Sequence, residues 1–242
     1  MIPRSIVILT GAGISAESGL LTFRTQGAQT LWDYVDADGV RQSHRIEDVC
    51  TPEALARDPA LVLDFYDGRR RALAGVAPNA AHRALARLDA RWGGDLLVVT
   101  QNVDDLHERA GATRVVHMHG ELRSALCRAC RGRSGFAGDM IAGPPCPACG
   151  QAALRPDIVF FGEMPYHMEA IEAAIDRADL FVSIGTSGAV YPAAGFVQQA
   201  RAAGAETLEL NLAPSAGSAW FAETRLGPAT RLVPAWVDEL LG

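Results

Sequence analysis

Ser5-Ile-Val-Ile-Leu-Thr10-Gly11-Ala-Gly13-Ile-Ser15-Ala-Glu17-Ser18-Gly19 decides the architecture. The short β-branched and apolar run at 5–10 suits a strand buried on both faces, and it enters a glycine turn and a helix start directly. Glycines at 11 and 13 let the backbone turn tightly and approach a ligand, and the N–H groups and positive dipole end of the helix suit a pyrophosphate. The motif alone leaves nucleotide binding open. Its third glycine falls at 19 instead of the GxGxxG position, and no second strand with an acidic end follows about 20 residues on. Further along, Asp95-Leu-Leu-Val-Val-Thr100, Asp179-Leu-Phe-Val-Ser-Ile184 and Glu206-Thr-Leu-Glu-Leu210 repeat the strand type, with helical stretches between them. This is an α/β pattern. Three of these strands end on polar groups, Gln101-Asn102-Val-Asp104, Gly185-Thr186-Ser187 and Asn211, where parallel sheets bind ligands.

A chain of 242 residues with 49% hydrophobic and 21% charged residues can bury a sizeable core. Net charge is −6 and the longest basic run is Arg69-Arg70-Arg71, which is not the footprint of a nucleic-acid protein. No apolar run reaches the roughly 18 residues of a membrane span, and Met1 leads almost at once into the first strand without a leader pattern. A cytoplasmic protein with no membrane partner is expected. Four of the five cysteines form Cys127-Arg-Ala-Cys130 and Cys146-Pro-Ala-Cys149, the spacing of a tetrahedral zinc site. In a reducing compartment this spacing favours metal over disulfides, and a closed four-cysteine site is structural. Segment 121–155 is too short and too rich in Gly, Pro, Cys and Arg for a core of its own, so metal would supply its folding energy. Cys50 is left over and reads as a free thiol without a function.

Residues 21–45 show little periodicity and read as a long loop. Thr51-Pro52 and Asp58-Pro59 each open a helix, and Pro78-Asn79 opens a third on which His82 packs or caps. Tyr66 and Arg69 are three apart and share a face of the second helix. They could clamp a carboxylate, or the face could simply be solvated. His107 reads as structural. Val115-Val-His117-Met-His119-Gly120 puts two histidines on one face of an extended segment, and geometry alone does not choose between them as a general base. Segment 154–163 is extended, a helix follows from about 168 to 177, another spans about 193–203, and the chain closes on 231–233 and a helix over 234–241.

In this order the motifs Gly11–Gly19 with Phe23-Arg24, Thr100-Gln-Asn-Val-Asp104, His119-Gly120, the paired CxxC units and Gly185-Thr-Ser187 resemble a sirtuin, an NAD-dependent protein-lysine deacylase, over essentially the full length. The resemblance implies an α/β fold with a Rossmann-like parallel-sheet large domain and a small domain made of a helical insert and a four-cysteine zinc ribbon. The expected division is 1–35, 78–120 and 157–242 for the large domain, 36–77 for the insert and 121–156 for the ribbon. It implies that an acyl-lysine carbonyl oxygen attacks the nicotinamide ribose, releasing nicotinamide, and that neutral His119 then takes a proton from the ribose hydroxyls. O-acyl-ADP-ribose is the product. NAD is the expected co-substrate and zinc, one per chain, the structural metal on Cys127, Cys130, Cys146 and Cys149.

By the same resemblance Gly11, Ala12, Gly13, Ser15, Glu17, Phe23, Arg24, Gln101, Asn102, Asp104, Gly185, Thr186, Ser187, Asn211 and Ala229 contact NAD. Val159, Phe160 and Phe161 pair with the substrate backbone as an added strand. Tyr66 and Arg69 match the class III pair that holds the distal carboxylate of succinyl- or malonyl-lysine, which predicts an acidic-acyl preference with some deacetylation. Alternatives are a deacetylase-only or ADP-ribosyltransferase member, and more remotely a zinc-ribbon binding module without catalysis. The segment at 25–31 and the stretch from Asp36 to His44 lie near the acyl pocket and leave its size open. The partner is acylated lysine on proteins, not nucleic acid, and a monomer is expected.

Overall fold

The run at 5–10 forms the central strand of a six-stranded parallel sheet because both of its faces are covered. A computed structural model describes residues 3–20, 24–26, 29–36 and 38–242. In chain order the elements are β1 (Ser5–Thr10), α1 (Ala12–Ala16), β2 (Arg24–Gln26), β3 (Gln29–Val35), β4 (Arg41–Arg45), α2 (Ile46–Val49), α3 (Pro52–Arg57) and α4 (Pro59–Ala74). Next come α5 (Ala80–Arg91), β5 (Asp95–Thr100), α6 (Leu106–Arg109), β6 (Val115–His117), β7 (Gly120–Cys127), β8 (Arg133–Gly135) and β9 (Leu154–Ile158). The remainder is α7 (Met168–Ile175), β10 (Leu180–Ile184), α8 (Phe196–Ala202), β11 (Glu206–Asn211), β12 (Glu223–Leu226) and α9 (Ala229–Leu241).

Strand order in the large sheet is β12-β11-β10-β1-β5-β6, with every pair parallel. Alternation along β1 explains its unbroken apolar character. Ile6 and Ile8 pack with Leu85, Leu88, Val233 and Trp236 of α5 and α9, whereas Val7 and Leu9 pack with Ile171, Ile175, Phe196 and Val197 of α7 and α8. All strands being parallel, the C-terminal ends of β1, β5, β6, β10 and β11 lie along one edge. The polar groups at 11–13, 101–104, 185–187 and 211 and the histidine pair therefore share that edge.

A second core belongs to the small domain. It joins Val49, Ala54, Leu55, Val62, Phe65, Tyr66 and Leu73 of the helical insert to Leu122, Ile158 and Phe160 of the ribbon side. The two parts are tied by a buried pair on α4. The Arg70 guanidinium donates to Asp67 at 2.7 Å and to the carbonyls of Leu122 and Gly138 at 2.7 and 3.0 Å. Asp67 in turn accepts the N–H groups of Met140 and Ile141. The ribbon carries its own antiparallel sheet, β8-β7-β9.

Three expectations need correction. Where described, the stretch read as a loop at 21–45 is an antiparallel sheet, β2-β3-β4. Its signal was hidden because β4 reads Arg-Gln-Ser-His-Arg, polar on both faces. Asp33 holds it from the neighbouring strand, accepting from Arg41 and Ser43, and the Asp36 side chain closes the turn on the N–H groups of Asp38 and Val40. β12 was not anticipated, having four residues with none buried. The last helix starts at Ala229, not at Pro234, which lies inside it. Glu17 accepts from both the N–H and the hydroxyl of Thr230, so an anion caps the first turn and the proline is carried through the interior.

Candidate functional site

The glycine turn is built by two loops pressed together. Gly11 N–H donates to Ile184 O and Gly13 N–H to Gly185 O, at 3.0 and 2.9 Å. A Cβ on Gly13 would fall 2.7 Å from the Gly185 Cα, so only glycine allows this approach. Gly185, at φ +63°, is equally constrained, since its Cβ would fall 2.6 Å from the Ile14 nitrogen. The side of the sheet predicted for the adenosine half is also drawn in. Asn211 donates its amide to Thr186 O at 2.8 Å, the Thr186 and Ser183 hydroxyls lie 2.8 Å apart, and the Ser187 carbonyl receives the Ala216 N–H. Ala229 begins α9 beside the Glu17–Thr230 contact, which makes the carboxylate of Glu17 a helix anchor. Ala12 opens α1. Phe23 lies outside the described residues, and Arg24 is placed only as a strand residue opposite Leu31.

At the end of β5, Asn102 is a buried junction. Its amide nitrogen donates to Gly11 O and to Ser15 Oγ, both at 3.1 Å, and its own N–H reaches Thr100 Oγ1. Ser15 also meets His82 Nε2 at 3.4 Å, and the capping box of His82 and Asn79 starts α5. His107 is fully buried against the Thr10 hydroxyl at 3.1 Å, with its ring 5.0 Å from that of His82. Both serve packing, as expected. Burial raises the pKa of Asp104, opposed by the Ser15 hydroxyl, the Leu106 N–H and the charges of His117 and Arg69.

The two histidines left equivalent by spacing are separated by their partners. His119 Nδ1 donates to the Gln101 carbonyl at 3.1 Å, which leaves Nε2 as an acceptor with no partner among the described residues. Burial lowers its pKa, opposed by the Gln101 carbonyl, and this keeps the ring neutral. A neutral imidazole with one nitrogen anchored and the other open is a general base in waiting. His117 faces an acceptor on each side, the Asn102 carbonyl at 3.0 Å and Glu108 Oε1 at 2.9 Å, and has no free nitrogen. Gly120, at φ +83°, turns the chain after His119, where a Cβ would strike Asp157 O.

Tyr66 and Arg69 lie on α4, Tyr66 against Cys50 and Phe160 and Arg69 against Trp32 and Phe65. Tyr66 is fully buried, stacked on Phe160 with centroids 5.9 Å apart, and its hydroxyl donates to Cys50 Sγ at 3.2 Å. Arg69 is partly buried, its guanidinium 5.4 Å from the Trp32 ring and 5.7 Å from that of Phe65. Among the described residues it has neither a hydrogen-bond acceptor nor a carboxylate within 4.0 Å. Burial lowers its pKa, while Tyr66, Asp104 and Cys50 oppose that shift. Cys50, a free buried thiol, is therefore a direct neighbour of Tyr66. Burial pushes its pKa up to about 11, so it stays protonated. Neither Cys50 nor Trp32 could be found from sequence, since each meets Tyr66 or Arg69 only through the fold.

Val159, Phe160 and Phe161 extend from β9. Their N–H groups are taken by His119 O, Glu163 Oε2 and Cys50 O, at 2.9, 2.8 and 2.9 Å. An added strand would thus have to meet this segment through its carbonyls. Arg155 fixes the segment from below, with two 2.8 Å bonds to Glu163 and its guanidinium 4.3 Å over Phe160.

The four cysteine sulfurs lie within 4.8 Å of one another, with Cys127–Cys149 at 3.7 Å and Cys130–Cys146 at 3.8 Å. Zinc–sulfur bonds of about 2.3 Å give a tetrahedron with edges of about 3.8 Å, so the donor set fits zinc. With all four positions filled by thiolates, such an ion holds the ribbon together and takes no part in a reaction.

Glycine turn, anchored imidazole and metal-stapled insert at the C-terminal edge of a parallel sheet define a nucleotide-dependent α/β enzyme with a small second domain. The Sir2 family matches over residues 11–192. An NAD-dependent protein deacylase of Caulobacter vibrioides is 53% identical over 98% of this chain and 96% of its own length, and one of Vibrio vulnificus is 52% identical over 98% and 94%. Among solved structures, a Sir2 homologue–NAD complex has a TM-score of 0.86 at 33% identity, covering 98% of this chain and 90% of that one. A Sir2 protein bound to an acetylated peptide has a TM-score of 0.80 at 26% identity, covering 98% and 93%. The chain belongs to the Sir2 family. Among the described residues no helix is long and apolar enough to cross a membrane.

Proposed function

We propose that this protein is an NAD-dependent protein-lysine deacylase that favours succinyl- and malonyl-lysine over acetyl-lysine. NAD and the acylated lysine of a protein are its substrates. The glycine turn takes the phosphates, Gln101, Asn102 and Asp104 take the nicotinamide ribose and carboxamide, and Gly185 to Ser187 with Asn211 takes the adenosine side. His119 Nε2 accepts the ribose hydroxyl proton while Gln101 O fixes its tautomer through Nδ1. Asn102, Asp104 and His119 are all present, which disfavours a zinc-ribbon module without activity.

The acyl preference is supported above all by the unpaired cation of Arg69. A guanidinium on an aromatic shelf, with no carboxylate within 4.0 Å among the described residues and only the more distant charge of Asp104, gains charge-assisted hydrogen bonds from a substrate carboxylate and nothing comparable from an acetyl methyl. Tyr66 supplies a second donor once its O–H exchanges the weak thiol acceptor of Cys50 for a carboxylate oxygen. Incubation with NAD and paired succinyl- and acetyl-lysine peptides tests this directly. Nicotinamide release with both, faster with succinyl, is expected; release with neither overturns the enzyme assignment, and labelling of protein without deacylation would favour ADP-ribosyl transfer.

A further inference from the structure

We infer that His117 is a positioning residue that works as a doubly protonated imidazolium strut between Glu108 and the Asn102 carbonyl, and that its loss of a proton sets the alkaline limit of activity. Nδ1 lies 3.0 Å from a backbone carbonyl and Nε2 lies 2.9 Å from a carboxylate oxygen. Neither a carbonyl nor a carboxylate can donate, so both nitrogens must carry hydrogen for both contacts to be bonds. A neutral ring would turn a lone pair toward one of these acceptors.

The strut is tied to the NAD side of the site. Asn102, whose carbonyl it holds, is the residue whose side chain grips Gly11 O and Ser15 Oγ. The adjoining carbonyl, Gln101 O, is held by His119 Nδ1. Two imidazoles two residues apart thus brace two consecutive carbonyls, one ring neutral and open, the other charged and closed. The groups that face His117 come from three directions: Glu108 and His107 on α6, Glu121 on β7, and Asp104 beyond β5. Burial works against its charge, but the Glu108 bond and charge, the Asn102 carbonyl and Glu121 outweigh this and raise its pKa above the ordinary 6.5. His119 moves the other way. Two histidines pushed apart in this manner make a bell-shaped pH profile, with the acid limb from His119 and the alkaline limb from His117.

This inference rests on the deacylase reading for its kinetic test but not for its spectroscopic one. Ring-nitrogen NMR of the intact zinc-loaded protein should show His117 as an imidazolium at pH 7, and a neutral ring there would overturn the proposal whatever the enzyme does. Kinetically, Glu108→Gln keeps an acceptor but removes the charge, so the alkaline limb of kcat/KM for NAD should move down by about one pH unit while the acid limb stays. His117→Gln should abolish that limb and raise KM for NAD more than it lowers kcat. An alkaline limb unmoved in Glu108→Gln contradicts the assignment. If the unaltered protein releases no nicotinamide from any acyl-peptide, the deacylase reading fails, and the NMR result still decides the state of His117.

Discussion

At the scale of single residues, partners decide roles that spacing could not. His119 and His117 are alike in sequence and opposite in the fold, because one nitrogen of His119 is left open while both of His117 are spent. His119→Ala should cut deacylation by at least about 100-fold, the usual scale for losing a general base, with zinc content and melting temperature unchanged. Its lowered pKa keeps the base neutral at pH values where an ordinary histidine has already charged, so the acid limb should have its midpoint below 6.5. A pH series of single-turnover rates checks this. Nothing in a linear reading places Cys50 3.2 Å from the Tyr66 hydroxyl. Cys50→Ala removes the acceptor that competes with substrate for that O–H. It should raise the succinyl-to-acetyl ratio of kcat/KM a few-fold, and an unchanged or lowered ratio would show that the thiol does not compete.

At the scale of elements, the large sheet was legible because doubly buried parallel strands announce themselves as apolar runs ending on polar groups, as at Leu97–Asp104. The β2-β3-β4 sheet was not, because β4 carries no apolar residue and is held by side-chain bonds to Asp33 and Asp36, while the apolar face of β3, Trp32 and Tyr34 against Phe65, emerges only in the fold. The tie between α4 and the ribbon was equally hidden, since Asp67 and Arg70 look like any helix-surface i,i+3 pair until both are seen to be buried. Arg70→Ala would leave the Asp67 carboxylate buried without its counter-charge. A loss of about 3–5 kcal/mol is expected, read by chemical denaturation of the zinc-loaded protein. In the glycine turn, Gly13→Ala drives a methyl against Gly185, so the two loops must part. The expected result is a higher KM for NAD with about 1–3 kcal/mol of lost stability.

At the scale of the whole molecule, the large sheet packs its own cores under α5 and α9 and under α7 and α8, and a further core joins the helical insert to Leu122, Ile158 and Phe160. The motifs point to cysteines as scaffold and a histidine just upstream as chemistry, but not to Cys50 and Trp32, which reach Tyr66 and Arg69 from distant segments. Removing zinc should abolish activity by loosening the ribbon, visible as loss of structure by circular dichroism at the same chelator concentration. The large domain carries its own pH sensitivity. His82 and His107, buried with their rings edge to face, have pKa values lowered by burial to about 4 and about 3. Below pH 6.5 the unfolded chain therefore binds protons that the folded one does not. Stability should fall as pH drops from about 6.5 toward 3, and His107→Phe should flatten that slope in denaturant titrations. The central claim is that the protein selects its substrate by the charge of the acyl group through Arg69. Measuring kcat/KM of Arg69→Met on matched succinyl- and acetyl-lysine peptides tests it most directly. Loss of a charged hydrogen bond of about 1.5–3 kcal/mol predicts that the succinyl-to-acetyl ratio falls roughly 10- to 100-fold while deacetylation persists; an unchanged ratio would contradict it.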